Sequence, residues 1–465
     1  MEQTSIMTPC LINIMDTGNR SAVILCNPPD SRIFPFAREE GNSVLPVGNE
    51  SLLERNINIL KNQGIQDIYV IGKQSAVLKK IAVDNSCIFA EMQNEIFLQL
   101  AGLEILGNVL VMYGSLYLED GDMAALVQYL DQGTAAVLGR PWKEQERGFG
   151  ARLDGDRIHT IYGHPRDHYV DTRIFGACVL PWKWVSALEY TRKGADTVNC
   201  GQMPDEQYYL ESALDQLLGQ GMELHVHICG KPAIQICFPW DLFEANRCCC
   251  RTLSDMEKDF VGTGSIVQDI YRKQGVLKVG KNCHIHHVTF EGNCVIGDNV
   301  VLEDGAVIGN NCIIGSGSII RHSCMIHEET VIGPGNKVDF GAEISGVTME
   351  GTAAVHGCEV FGVIGRYVDI AAGVVMAVLR FDDAQVPRRV NGRVYRSAYT
   401  NCVCIGDYAR TGVHTTFMPG VCVGPRCAVG PGVLVERDVK ENTLLLLKQE
   451  TVQKEWGSAR YGWSQ

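Results

Sequence analysis

The sequence predicts two domains, an α/β domain with a mostly parallel sheet followed by a parallel β-helix. From Ile296 an aliphatic residue returns at every sixth position, through Leu302, Ile308, Ile314, Ile320, Ile326, Ile332 and Val338 to Ile344. The first half instead alternates short apolar runs with amphipathic stretches. A chain of 465 residues is also too long for one core, so two domains are expected on length alone.

A period of six fits neither a helix face nor a flat strand. It fits a chain that turns a corner every six residues and points the same residue inward each time. The residue four places after each aliphatic is usually small, as at Val300, Ala306, Cys312, Ser318, Cys324, Thr330 and Ala342, which suits a crowded corner. Glycine often follows the aliphatic, at Gly297, Gly309, Gly315 and Gly333, where a corner needs unusual backbone angles. The period falters after Ile344, returns at Ile364 and Ile370, and resumes at Ile405, Phe417, Val423, Val429 and Val435. Between the runs lies an excursion, residues 378 to 400. Leu444 to Leu447 is expected to pack as a strand on the last coil and cap it. This pattern resembles the left-handed β-helix of hexapeptide-repeat acyltransferases.

Composition narrows the class. Apolar residues make up 46% of the chain, enough for real cores, yet no stretch of about eighteen apolar residues occurs and Met1 to Thr8 does not read as a signal peptide. A cytoplasmic protein is expected. The nineteen cysteines are odd in number, and several fall on the small corner positions, so reduced structural thiols are expected. Cys248 to Cys250, and Cys402 with Cys404, lack a second pair at zinc-site spacing. A net charge of -13 disfavours a nucleic-acid backbone as partner.

In the first half, Ala22 to Cys26 reads as a strand. Ser51 caps an amphipathic helix through Leu52, Leu53, Ile57 and Leu60 that stops near Gly64. Strands are expected at Ile68 to Ile71, Val109 to Met112 and Leu224 to Val226, with helices at Met123 to Leu130 and Tyr208 to Leu218. Strands separated by helices imply a mostly parallel sheet whose ligands lie at the strands' carboxyl ends.

Several segments resemble sugar-1-phosphate nucleotidyltransferases: Val44 to Val47, Ser51 to Glu54, the strand entry from Gly64 to Gly72, and Pro239 to Leu242 with Glu244 to Asn246. Leu379 to Asp383, Ile405 to Asp407, Arg410 to Gly412 and Pro419 to Val421 follow in the order found in the archaeal-type bifunctional enzymes. Those enzymes uridylylate N-acetylglucosamine 1-phosphate and acetylate glucosamine 1-phosphate. The similarity covers about residues 20 to 440, and implies a nucleotidyltransferase-like first domain.

Nucleotidyl transfer needs backbone amides at the triphosphate, a basic group beside it and carboxylates that hold magnesium. The family's glycine-rich turn corresponds here to Leu25 through Arg32, where Pro28 and Asp30 stand in place of glycines while Arg32 is kept. A family lysine corresponds to Asn42. The two family magnesium carboxylates correspond to Ser115, after Gly114, and to Gln235, both neutral, and the sugar-contacting segment reads Gly163 to Pro165. Magnesium is therefore not expected to find its ligands, unless Asp120 and Asp122 supply displaced ones; loop polarity and capping before Met123 are their simpler roles. Loss of nucleotidyl transfer is expected.

Acyl transfer from acetyl-CoA needs a general base at the amine. His356 lies one residue from the family histidine's place, and His414 follows Arg410 to Gly412; these are the two candidate bases. Cys358, Val378 and Ala384 stand where the resemblance implies tyrosine, asparagine and lysine. The candidate substrate contacts are Arg32, Ser115, Gln235, Arg380, Asp382, Asp383 and Arg410, guanidinium forks suiting a phosphate or an internal carboxylate equally. His284, His286, His287, His322 and His327 are expected to diverge on outward coil positions.

The expected layout is an N-terminal extension over 1–20, a nucleotidyltransferase-like domain over 21–247, a helical linker over 248–275, the β-helix over 276–445 and a tail over 446–465. Three functions stay open: an acyltransferase on an amino-sugar phosphate or nucleotide sugar with acetyl-CoA as donor, a non-catalytic sugar-nucleotide-binding regulator or scaffold, and a nucleotidyltransferase with relocated metal ligands. The small-molecule partner in each is a sugar phosphate or nucleotide sugar, with no nucleic acid or membrane. A flat-sided β-helix of this kind is expected to assemble as a homotrimer. Analytical ultracentrifugation should therefore show a species of three chains, and a stable monomer would reject that assembly.

Overall fold

The computed structural model describes residues 20–26, 31–93, 95–103, 105, 107–143, 148–195, 206–390 and 393–457. The expected N-terminal extension, the turn over Asn27 to Asp30 and the last residues of the tail lie outside them. A nine-stranded sheet forms the first domain, in the spatial order Ile88–Glu91, Asp67–Gly72, Ser21–Leu25, Val109–Tyr113, Thr172–Leu180, Ala136–Pro141, His225–Ile228, Arg157–Tyr162 and Gly150–Asp154. The first four strands run parallel, Leu25 being level with Ile71 on one side and Tyr113 on the other. Their carboxyl ends therefore open onto one edge, as expected for a ligand-binding α/β sheet. Thr172–Leu180 is antiparallel to its two neighbours. The helix Leu52–Asn62 begins with the anticipated cap: the Glu54 amide donates to Ser51 Oγ at 3.2 Å and the Ser51 amide to Glu54 Oε2 at 3.3 Å.

The second domain is a parallel β-helix. Ile296 is level with Ile314 and Ile332, Leu302 with Ile320 and Val338, and Ile308 with Ile326 and Ile344. Each coil thus spends three hexads on three walls, and the aliphatics of the hexad stack into columns that fill the interior. Cysteines at the small positions, such as Cys283, Cys324 and Cys358, are buried among them, and the cysteines of the described residues are free thiols.

The faltering of the period after Ile344 has a physical cause. The coil shortens by two residues, so that Ile344 is level with Val360 while Ile332 is level with Thr348. One corner is drawn into a continuous strand, Glu343–Thr348, passing through Gly346 at φ 120. A Cβ on Gly346 would lie 2.6 Å from Phe243 Cε2 and 2.3 Å from the Gly362 carbonyl oxygen, so only glycine admits both neighbours. The corner is pulled in where Phe243 of the first domain presses against it.

Phe243 sits on the helix Pro239–Arg251, which joins the two domains. A single core runs through this junction helix, taking Leu45, Leu52 and Tyr117 from the α/β domain and Val331, Val347, Val363 and Cys404 from one β-helix wall. Arg247 and Arg251 both bond Glu329, at 2.7 Å each, Arg38 reaches Asp407 at 3.3 Å, and Asn49 Nδ2 donates to the Ile332 carbonyl at 2.9 Å. Burial raises the pKa of Glu329, but hydrogen bonds from Arg251 and Arg247 more than offset it and hold the carboxyl below its ordinary value. The expected helical linker over 248–275 is corrected here. The helix ends at Arg251, a short 3-10 turn runs to Asp255, and Phe260–Val261 already pairs with Leu277–Val279 as the first coil.

Residues 378–400 leave the coils as expected and form an antiparallel hairpin, Arg388–Val390 with Arg393–Tyr395. Leu444–Leu445 pairs in parallel with Ala428–Val429, so the tail does begin as a strand on the last coil. No helix among the described residues is long and apolar enough to cross a membrane. Replacing Phe243 by alanine should cost about 3–5 kcal/mol, because its ring is fully buried against Phe361 at 5.6 Å and Tyr399 at 5.4 Å. Urea unfolding should show both domains weakened together; loss from one domain alone would mean that the core is not shared.

Candidate functional site

Two regions gather the residues that the sequence singled out. The first lies at the carboxyl end of Val109–Tyr113. Ser115 follows that strand and is buried, and the short strand Ile234–Gln235 runs antiparallel to Leu116–Tyr117 beside it. This pairing brings Gln235 to Ser115 across 120 residues of chain, and Gln235 Nε2 donates to Ser115 Oγ at 2.6 Å. Asn42 is buried next to them and donates from Nδ2 to the Ile236 carbonyl at 2.9 Å. Three neutral side chains thus occupy the heart of this edge.

Cations line the rim. The Arg32 guanidinium lies 5.7 Å from the centroid of the Phe238 ring, three residues beyond Gln235. Ala177 is level with Met112, Phe175 and Arg173 precede it on the same strand, and Arg173 is within electrostatic reach of Asp241. Arg173 is level with Arg140 on the neighbouring strand, and both guanidinium groups face the Phe175 ring, at 5.1 and 5.8 Å. Burial raises the pKa of Glu244, opposed by Arg140, Lys143 and Arg173. Sequence reasoning missed Arg140, Arg173, Phe175 and Phe238. The available signal was a charge at the end or near the start of strands otherwise apolar and buried.

The carboxylates nearby are committed elsewhere. Asp122 is buried and accepts from the Gly230 amide at 2.9 Å, the Lys231 amide at 3.2 Å and the His227 ring at 3.0 Å. Asp120 stands in the first turn of the helix Asp120–Gln132. Asp241 accepts from the Cys237 and Phe238 amides at 2.9 and 2.8 Å and so caps the junction helix. Burial pushes its carboxyl up to about 7, against the two amide hydrogen bonds. Among the described residues no group of three or more His, Cys, Asp or Glu side chains is placed to hold a metal ion. At the position where the resemblance implies magnesium, the donors present are a hydroxyl and an amide that bond one another, a set that does not fit a hard dication.

The second region is one edge of the β-helix. His356, at φ 62, and His414, at φ 56, both turn the same corner, for the strands preceding them, Ala353–Val355 and Arg410–Thr411, stack on either side of Asp369–Ile370. One coil lies between their positions. The His356 ring stacks on Phe340 at 4.9 Å, and Phe340 stacks on His322 at 4.6 Å. A Cβ at Gly373 would lie 2.5 Å from His414 Nδ1, so the intervening coil leaves the imidazole its space by having no side chain there. Arg410 is on the same coil as His414 and exposed, and its guanidinium has no hydrogen-bond or ion-pair partner among the described residues.

Arg380 and Asp382 are placed differently. The guanidinium holds both carboxylate oxygens of Asp382, at 2.8 and 2.7 Å, on the exposed excursion. The Arg380 hydrogen bonds hold the Asp382 carboxyl well below the usual range. Asp383 follows at φ 52. The other histidines are paired with carboxylates: His284 bonds Glu303 at 2.7 Å, His286 bonds Asp269 at 3.1 Å, and His322 lies between Asp304 and Asp339, its ring joined through Phe340 to the corner of His356.

The structure joins an α/β domain through a shared core to a β-helix of hexapeptide repeats, the order expected of the bifunctional proteins that the motifs resemble. The bacterial transferase hexapeptide family (six repeats) matches residues 305–339. Over 93% of its length the chain is 26% identical to the bifunctional protein GlmU of Methanococcus maripaludis, covering 98% of that protein. It is 35% identical over 113 residues, 24% of this chain and 28% of the relative, to a bifunctional sugar-1-phosphate nucleotidylyltransferase/acetyltransferase of Sulfurisphaera tokodaii. Among solved structures, HddC from Yersinia pseudotuberculosis complexed with GMP-PN covers 49% of this chain and 98% of its own, with 17% identity and a TM-score of 0.37. The resemblance to archaeal bifunctional proteins implied by the motifs therefore extends over nearly the whole chain.

The raised Asp241 carboxyl predicts a pH dependence. Its folded value, about 7, exceeds the ordinary unfolded value of about 3.9, so its stabilising contribution is complete below the unfolded value and is lost as pH rises through the folded one. Asp241→Asn fixes the neutral form and should flatten the decline in stability between roughly pH 4 and 7, read from urea midpoints across that range. A slope identical to the parent's would show that Asp241 is already ionised there.

Proposed function

We propose that this protein is an acyl-CoA-dependent N-acyltransferase acting on an amino-sugar phosphate or nucleotide sugar, and that its first domain binds a sugar nucleotide without transferring the nucleotidyl group. The observation that carries the reading is the shared corner of His356 and His414, with Arg410 beside it. In this reading the acceptor amine attacks the thioester carbonyl, an imidazole takes the proton released from the amine, and the thiol leaves as free CoA. His414, without a bonded partner among the described residues, serves as the base. His356, held by its stack on Phe340, lines the same edge. Arg410 and Arg32 anchor phosphate groups at the two sites. The relatives named as bifunctional proteins support the acyltransferase half and the sugar-nucleotide ligand, and the hexapeptide match supports acetyl-CoA as donor and a homotrimer as the assembly.

A non-catalytic sugar-nucleotide-binding regulator is the second reading. It is favoured by the pairing of Arg380 with Asp382, which commits a guanidinium of the excursion to the protein itself. The test is release of free thiol from acetyl-CoA in the presence of glucosamine 1-phosphate, followed by thiol titration. The parent protein should turn over, and His414→Ala should lower kcat by about 10²–10⁴-fold, with His356→Ala as the comparison. A silent parent protein would favour the regulator, and an unchanged rate in the His414 variant would remove that residue as base.

A further inference from the structure

The corner of the β-helix that carries His356 and His414 is the end of a ladder of rings. We infer that His356 works through the face of its ring and not through its nitrogens: it is a stacking platform for the sugar ring of the acceptor, and His322 and Phe340 are the residues that position it. The inference rests on the acyltransferase reading above and deepens it, by assigning where the acceptor's ring lies.

The platform is anchored from within the coils. Asp339 is buried, His322 Nδ1 bonds its Oδ1, and Arg321 Nε donates to its Oδ2 at 3.0 Å. On its other side His322 meets Asp304, 3.2 Å from Nε2. Held at both nitrogens, this imidazole stacks on Phe340 at 4.6 Å and 8°, and Phe340 stacks on His356 at 4.9 Å and 13°. The three rings stand on successive coils, since the Gly341 amide donates to the His322 carbonyl and the Gly357 amide to the Phe340 carbonyl. Two carboxylates thus fix the plane of an imidazole two coils away, through ring contact alone.

The next coil breaks the ladder. The Gly373 amide donates to the His356 carbonyl at 3.1 Å, so by the same register Ala372 takes the place that follows His356. A methyl group stands there instead of a ring. Among the described residues no ring stacks on the second face of His356, and no hydrogen bond engages its nitrogens. His414 lies across Gly373, where a Cβ would be 2.5 Å from its Nδ1, and its amide donates to the Ala372 carbonyl at 2.9 Å.

A pyranose suits the place that the ladder leaves open. Its C–H face is slightly positive and meets the negative face of an aromatic ring, while its polar groups project from the ring edge. The amine is then presented to His414, and a phosphate to the exposed guanidinium of Arg410 on the same coil. Such a platform needs a ring at position 356 and no nitrogen. Phe340 at φ 52 and His356 at φ 62 show that one corner conformation serves phenylalanine and histidine alike.

The experiment is a calorimetric titration of the full-length protein with glucosamine 1-phosphate, on the parent, His356→Asn and His356→Phe. Asparagine tolerates the positive φ and removes the ring, whereas phenylalanine keeps the ring and removes the nitrogens. His356→Asn should bind about three- to tenfold more weakly, and His356→Phe within about twofold of the parent. Unchanged affinity in His356→Asn overturns the platform. So does a His356→Phe variant as weak as His356→Asn, which would make the nitrogens the contact, and so does a parent that does not bind. Phe340→Asn should weaken binding in the same direction; unchanged affinity there overturns the positioning role. The thiol-release assay separates this inference from the reading it rests on. Ring-dependent binding without thiol release leaves the platform standing and rejects the acyltransferase, while thiol release with ring-independent binding rejects the platform alone.

Discussion

The structure depends on burying both faces of the junction helix Pro239–Arg251. Its apolar residues meet the α/β sheet's loops on one side and a β-helix wall on the other, so neither domain can be lifted away without exposing Phe243, Leu242 and the cysteines Cys248 to Cys250. The effect reaches into backbone geometry. Beside Phe243 the coils give up two residues and a corner, with Gly346 and Gly362 in backbone conformations closed to other residues. Arginines at the helix end and on the loop after Arg32 then pin the contact to Glu329 and Asp407, which fixes its rotation as well as its depth. The two folds share one apolar core here.

Much of this was legible in the sequence, and what was not has identifiable causes. The nine-fold return of aliphatics from Ile296 to Ile344 specified three walls per coil, because an inward side chain every six residues is a local property. The shortened coils after Ile344 were visible as a disturbance, but the cause, Phe243, lies a hundred residues upstream and carries no local mark. The first coil is hidden in the sequence because Arg272, level with the inward Phe290, stands where an aliphatic would mark the column, and the step from Ile285 to Phe290 is one residue short. In the α/β domain the Ser51 cap and the strand ends were legible for the same local reason.

The candidate site divides along the same line. Ser115 and Gln235 could be picked out one at a time from the resemblance, whereas their hydrogen bond is a product of the fold. Arg140 and Arg173 become neighbours only through antiparallel register, which no spacing in the chain encodes.

The hairpin of the excursion reaches the first site. Tyr395 packs on Phe238 at 4.6 Å, and the same ring stacks on Trp240 at 4.6 Å and lies 5.7 Å from the Arg32 guanidinium. The chain that carries Arg380 to Asp383 thus ends against the ring that supports a first-domain cation. Any movement of Phe238 has to work against Tyr395, so the excursion and the edge of the first domain are linked mechanically through a single ring.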